Sequence, residues 1–431
     1  VVGLAVLLAG CQGESPIGPA GGPGPELSGG IEAPVPPGGY PPSWVPGQVI
    51  CELGAGYTIE DVHALFGTST LDHIAGTDVY LVATPAGVPE EQLAEAMRTT
   101  LYCDIAERNL ELESPEAERY SVAFYEGTFD YGDYIDQDAL SRIGAPAAHV
   151  QSTGVGVKIA VIDTGIDLDH PALADKIGQG YDLVDDDPTP EDMPNYIDED
   201  GDGWFDEAAG HGTHVAGIVS AVAPGATLLP YRVLNSDGFG TAFDVTHAVR
   251  MAIDDGAQVI NLSLGMSERV ESLREAIRDA ADLDILVVAA AGNRGIEDRY
   301  HFPASENATV MAVTATDADD RKASFASYGS HIDISAPGVG IMSTYWNGGY
   351  AIWSGTSMAT PFGSGAGALA IALDPWVGDK TQHLIEDSAH DIDDPPHMWV
   401  GLIGEGRVQL DDLVTLVMQG IGGGGDVSRR Q

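Results

Sequence analysis

The sequence predicts an α/β protein, a mostly parallel sheet flanked by helices and preceded by a small α+β unit. Three observations lead there. From about Asp138 to Leu416, short apolar runs alternate with segments of helical period, the pattern of a sheet covered on both faces. From Gln48 to about Glu113 the periods change in the order βαββαβ, and ahead of that lies a stretch dominated by Gly and Pro.

Composition narrows the function. With 431 residues, more than one folded unit is expected, and an apolar fraction of 44% supplies a large core. A formal charge of -47 has the wrong sign for binding nucleic acid phosphates. It suits cation binding, and it fits a protein of high-salt surroundings and an acidic exported enzyme equally. The three cysteines are Cys11, Cys51 and Cys103. None lies where the chemistry is expected, which excludes a thiol nucleophile or cysteine-bound zinc there, and no catalytic metal is expected.

Residues 1–11 read as the later part of an export signal whose start lies upstream. Leu8-Ala9-Gly10-Cys11 resembles the lipobox of prokaryotic lipoproteins, which implies lipidation of Cys11 and a lipid anchor. An ordinary cleaved signal or the end of a membrane anchor are the alternatives, and all three put the chain outside the cytoplasm. Residues 12–46 read as a linker. Gly and Pro make up 18 of the 32 residues from Ser15 to Pro46, too little apolar surface to fold.

Residues 47–114 carry the α+β unit. Val49–Leu53 reads as a strand, Ile59–Phe66 as a helix, and Thr70–Ile74 and Asp78–Ala83 as strands. Pro89–Leu101 is a helix opened by Pro-Glu-Glu, and Tyr102–Leu112 closes the unit as a strand. The order is ferredoxin-like. Cys51 and Cys103 fall on the first and last strands, compatible with a disulfide after export or with two buried free thiols.

In the larger region, residues 138–418, strands are expected at Val157–Ile162, Thr227–Val233, Gln258–Leu262, Ile285–Ala290 and Thr309–Val313. Helices are expected at Ala242–Asp254 and Val270–Ala281. In such a sheet functional side chains gather beyond the carboxyl ends of the strands. Three motifs lie at such places: Val161-Ile162-Asp163-Thr164-Gly165, Gly210-His211-Gly212-Thr213-His214, and Ser354-Gly355-Thr356-Ser357-Met358-Ala359-Thr360-Pro361. A carboxylate that fixes an imidazole, and an imidazole that takes a serine proton, are what a weak hydroxyl nucleophile needs at neutral pH.

Singly, a strand-end Asp or a Ser before a helix is often only a cap. Taken in order, with 48 residues between Asp163 and His211 and 146 between His211 and Ser357, the motifs are similar to those of the subtilase family of serine peptidases. The resemblance implies a subtilisin-like fold, polypeptide substrates, a monomer, and an endopeptidase with Asp163, His211 and Ser357 as its catalytic residues. It also makes Asn293, after Ala290-Ala291-Gly292, the oxyanion donor. Gly238-Phe239-Gly240 resembles the edge that pairs with extended substrate, and Ser263-Leu264-Gly265 the opposite wall, so backbone recognition with broad specificity is implied. Of the two histidines His211 is the base, and His214 is expected to pack within its helix. A lipase would want its serine in Gly-x-Ser-x-Gly with the histidine last, whereas here the serine is last.

The α+β unit, which includes Ile105-Ala106-Glu107-Arg108-Asn109, resembles the chaperone and inhibitor prodomain of the family. It is therefore expected to be an intramolecular inhibitor, joined by a maturation linker at 115–137. After Pro361 the family commonly has His-Val-Ala-Gly, where this chain has Phe362-Gly363-Ser364-Gly365. That predicts altered helix packing rather than lost activity.

Between the first two motifs, Asp182 to Glu207 holds 12 acidic residues in 26 and no Lys or Arg, a run that repels itself unless cations gather. Within it Asp198, Asp200, Asp202, Trp204 and Asp206 match positions of an EF-hand-like Ca²⁺ loop, though Ala209 stands where the bidentate Glu belongs. Subtilases often bind structural Ca²⁺, which the resemblance extends to this loop. Residues 419–431, with Gly420 to Gly425, read as a flexible tail.

Overall fold

The computed structural model describes residues 43–116, 124–199, 203–306, 309–392 and 399–422. The N-terminal region runs β1 (Trp44–Leu53), α1 (Ile59–Phe66), β2 (Ser69–His73), β3 (Val79–Ala83), α2 (Glu90–Arg98) and β4 (Cys103–Glu113). Its sheet is antiparallel in the order β2-β3-β1-β4, so the predicted βαββαβ unit is present. Alternation along β1 sends Val49 and Cys51 to the face covered by α1 and α2, while Ile50 joins a core shared with the larger region. This region completes its burial against its neighbour.

Expected boundaries move. The linker was to reach residue 46, but Trp44–Pro46 already belong to β1, where Arg108 lies 4.5 Å over the Trp44 ring. Cys51 and Cys103 are free, buried thiols with their sulfurs 2.9 Å apart.

After β4 come β5 (Tyr125–Glu126) and three short helices, α3 (Tyr131–Ile135), α4 (Asp138–Arg142) and α5 (Ala145–Ala148), so the stretch expected as a plain linker is partly structured. The larger region continues with β6 (Lys158–Asp163), β7 (Tyr181–Asp182), α6 (His211–Val222), β8 (Thr227–Arg232), β9 (Phe239–Thr241), α7 (Ala242–Asp254) and β10 (Val259–Leu262). It then runs through α8 (Glu271–Asp282), β11 (Leu286–Ala290), β12 (Met311–Thr316), β13 (Ile334–Pro337), β14 (Ile341–Tyr345), β15 (Gly349–Trp353), α9 (Thr356–Leu373), α10 (Thr381–Asp387) and α11 (Leu410–Gly422). The last helix overruns the expected tail at residue 419, because Leu413, Val414 and Val417 fix it in the core.

Seven parallel strands form one sheet in the order β13-β12-β11-β10-β6-β8-β7. The chain moves outward from β6 on one side through β8 and on the other from β10 through β13. The crevice beyond the carboxyl ends of β6 and β10 is therefore the switch point at which such sheets bind ligands. Helix α9 crosses beneath the sheet on small residues. A Cβ at Gly363, Gly365 or Gly367 would stand 2.9, 2.4 or 2.5 Å from Met311, Val222 or Leu286. The Phe362 and Ser364 departures are absorbed there: Phe362 is buried, and Ser364 Oγ donates to Asn261 Oδ1 at 2.8 Å.

Candidate active site

Asp163, His211 and Ser357 each sit where an element ends or begins. Asp163 closes β6, and its Oδ1 accepts the Thr164 N–H at 2.8 Å and His211 Nδ1–H at 2.6 Å. His211 opens α6 after Gly210, whose φ of 86° suits glycine and whose missing Cβ leaves room for the Tyr345 ring. The amides at that helix start go to buried Asp192: Oδ1 accepts from Gly210 N at 2.9 Å, and Oδ2 from Thr213 N and Oγ1 at 2.9 and 2.6 Å. Burial, countered by these bonds, pushes Asp192 up to about 6. The His211 ring meets Trp353 edge-on at 5.4 Å.

Ser357 lies at the head of α9 and is fully buried. Its hydroxyl donates to the Ser263 carbonyl at 3.2 Å, and the Ser263 hydroxyl donates to the Ser357 carbonyl at 3.1 Å. Asn261 Nδ2 donates to that same Ser263 hydroxyl at 3.0 Å, which links Ser364 through Asn261 to Ser357. Asn293 is oriented from behind: its Oδ1 accepts both Thr356 N–H and Thr356 Oγ1–H at 2.9 Å, which turns the Nδ2 donor toward the cleft.

His211, Asn293 and Ser357 converge on one group that the sequence did not flag, the carboxylate of Glu116. Its Oε2 is 3.0 Å from His211 Nε2, while its Oε1 accepts from Asn293 Nδ2 at 2.9 Å and from Ser357 N at 3.3 Å. A Cβ at Gly355 would stand 1.7 Å from Oε1, so the hole around that oxygen is closed by backbone. Burial opposes an imidazolium at His211, but the Asp163 and Glu116 carboxylates outweigh it and push the group up to about 10. His214, by contrast, packs in the helix as expected, with Nε2 against the Ala351 carbonyl at 3.2 Å, and burial pushes it down to about 3.

Glu116 reaches the cleft because β4 runs into it as an added strand. Leu112 and Glu113 pair antiparallel with Gly240 and Phe239, and Glu113 exchanges both backbone hydrogen bonds with Gly265 on the other side. Ser114 N–H donates to the Gly238 carbonyl at 3.0 Å. Residues 238–240 and 263–265 are thus two edges of one slot, and Ala290, Ala291 and Gly292 lead from β11 to Asn293 beside it. Further back, β4 caps two helices: Glu107 accepts from Glu271 N and Ser272 N at 2.8 and 2.9 Å, and Asn109 Oδ1 from Phe243 N at 3.0 Å.

The acidic loop is only partly gathered. Asp200 and Asp202 lie outside the described residues. Asp198 Oδ2 accepts the Gly203 N–H at 3.0 Å, Asp206 Oδ1 accepts those of Asn195 and Tyr196 at 2.7 and 3.1 Å, and Trp204 is exposed. Among the described residues no group of three or more His, Cys, Asp or Glu is arranged to hold a metal. Part of the expected self-repulsion is relieved from outside the run, since Arg232 pairs with Asp182 and Asp185 at 2.7 and 2.6 Å. Cys11 also lies outside the described residues.

Sequence reasoning missed Glu116, Asp192 as the cap of α6, and Trp353. None belongs to a motif; each is brought to the site by tertiary packing.

Comparison with known proteins agrees with this architecture. The chain is 39% identical over 277 residues to thermitase of Thermoactinomyces vulgaris, an alignment covering 62% of this chain and 91% of thermitase. It is 40% identical over 261 residues to subtilisin BL of Lederbergia lenta, covering 58% and 90%. The fold matches that of fervidolysin from Fervidobacterium pennivorans with a TM-score of 0.71 at 23% identity, over 86% of this chain and 61% of the other. The profile of the subtilase family matches residues 154–422, and the chain belongs to that family of serine peptidases.

Proposed function

We propose that the chain is an exported serine endopeptidase made as a self-inhibited proenzyme, with Ser357 as nucleophile, His211 as general base and acid, and Asp163 as the group that orients His211. The observation that carries this reading is the Glu116 carboxylate, held at once by His211 Nε2, Asn293 Nδ2 and the Ser357 N–H. Donors grouped around one oxygen are what a tetrahedral oxyanion needs. The imidazole that would take the serine proton lies on the other side of the same carboxylate.

In the reaction, Ser357 Oγ attacks the scissile carbonyl as His211 Nε2 takes its proton, and Asp163 stabilises the imidazolium. The oxyanion is held by Asn293 Nδ2 and the Ser357 N–H. His211 then protonates the leaving amine, and water repeats the sequence to release the acid. Substrate would lie as Glu113-Ser114 lies now, added as a strand between residues 238–240 and 263–265.

That occupancy supports the inhibitor role of residues 47–114, and the Glu116 carboxylate adds to the rise that Asp163 gives His211, favouring the protonated ring that is no base. Export and a lipid anchor at Cys11 rest on the apolar run that precedes it. A structural Ca²⁺ in the 198–206 turn would draw on Asp198 and the Trp204 backbone along with Asp200 and Asp202; Asp206 is already engaged by backbone donors.

A fluorophosphonate probe tests the nucleophile. Enzyme freed of its N-terminal region is expected to be labelled at Ser357 and to cut unfolded protein, and Ser357→Ala to lose both. Peptidase activity that survives in the alanine variant would overturn the assignment.

A further inference from the structure

We propose that His301 is a specificity-determining residue: its imidazole floors the pocket for the side chain just before the scissile bond, so that short side chains are accepted there and aromatic or long ones refused. The inference rests on the reading of the cleft given above and names its substrate class.

The register places the pocket. Glu113 pairs antiparallel with Gly265, so continuing the ladder sets Pro115 opposite Ser263, directly ahead of the Glu116 carboxylate in the oxyanion hole. A substrate residue in the place of Pro115 must send its side chain between the Ser263–Gly265 edge and the Ala290–Gly292 segment. One ring already touches both walls. A Cβ on Gly265 would stand 2.2 Å from His301 Nε2 and 2.3 Å from Cε1, and a Cβ on Gly292 would stand 3.0 Å from Nδ1. The two glycines give the imidazole its seat, and the imidazole takes the depth that a large side chain would use.

The ring is fixed from behind. Phe302 and Met266 exchange both backbone hydrogen bonds at 2.9 Å, which ties the His301 segment to the same edge as Gly265. Asp298, Arg294 and His331 are its neighbours, and Arg294 and Asp298 approach to 3.8 Å. His301 is 6% exposed, and burial, against the opposing pull of the Asp298 carboxylate, pushes it down to about 4, so the floor is a neutral ring at ordinary pH. The occupants now nearest the hole, Ser114 and Pro115, are both compact.

The test uses mature enzyme and tetrapeptide p-nitroanilides that differ only in the residue before the anilide, with rates expressed per fluorophosphonate-labelled site so that misfolded protein does not count. Wild-type enzyme is expected to prefer Ala or Ser over Phe by about tenfold or more in kcat/KM. His301→Gly is expected to raise kcat/KM for Phe relative to Ala by about tenfold, with His301→Ser between them. Wild-type enzyme that takes Phe as readily as Ala overturns the inference even if neither variant folds. So does a labelled variant with an unchanged Ala-to-Phe ratio. Wild-type enzyme that is neither labelled nor active on any of the peptides overturns both this inference and the proposed function.

Discussion

Two acidic places in this molecule make an instructive contrast. The loop from Asp182 to Glu207 carries twelve carboxylates, and those described are spent on architecture: Asp182 and Asp185 on Arg232, Asp192 on the start of α6, Asp206 on the amides of Asn195 and Tyr196. Glu116 is a single residue in an unremarked stretch, yet it touches His211, Asn293 and Ser357 together. Abundance of charge thus says little about chemistry. What matters is whether the fold brings a charge to groups that were waiting for one.

If that contrast holds, perturbing the cleft should cost far more activity than perturbing the loop. The largest effect is expected from Asn293→Ala in the mature enzyme, a fall in kcat of roughly 10²–10³, a size known for the family's asparagine rather than deduced from this geometry. A loss confined to KM would show that Asn293 binds substrate and leaves the oxyanion alone.

Next comes pH. With the N-terminal region in place, burial opposes the His211 imidazolium, but Asp163 and then Glu116 push it up to about 10. Asp163 stays beside it in either form, so only the Glu116 share favours the closed form; that share is lost as pH climbs through about 10, hence labelling of Ser357 in the uncleaved chain should rise toward alkaline pH. Glu116→Gln removes one of the two carboxylates and should shift that rise to lower pH. Superimposed profiles would mean that Glu116 does not hold the latch.

The smallest effect belongs to the loop. Chelation of calcium should lower Tm by about 2–4 °C for each kcal/mol of binding lost, with kcat almost unchanged before unfolding. An unaltered melting curve at low calcium would leave the loop without a metal.

The same contrast explains how much could be read in advance. Helix α1 and helix α7 have the bounds their periodicity gives, and the strands ending at Asp163, Leu262 and Ala290 lie where apolar runs meet chemistry-bearing residues. Asp163, His211, Asn293 and Ser357 were legible because each sits in a local pattern of glycines and small residues that its position demands. Glu116 and His301 were not: one arrives just past β4, a strand that pairs with the sequence-distant β9, the other by a loop returning beneath Gly265, and neither leaves a mark in its own surroundings. The loop's own burial partner, Arg232, was hidden for the same reason, since it comes from β8.

Helix α9 has a consequence for motion. With three of its glycines pressed against three different side chains, it has no slack along its length, and Ser357 is the tip of that rod. Thermal wandering of Ser357 is therefore governed by the deepest and stiffest part of the molecule, while the surface turns around the mouth can be rebuilt without loosening its aim.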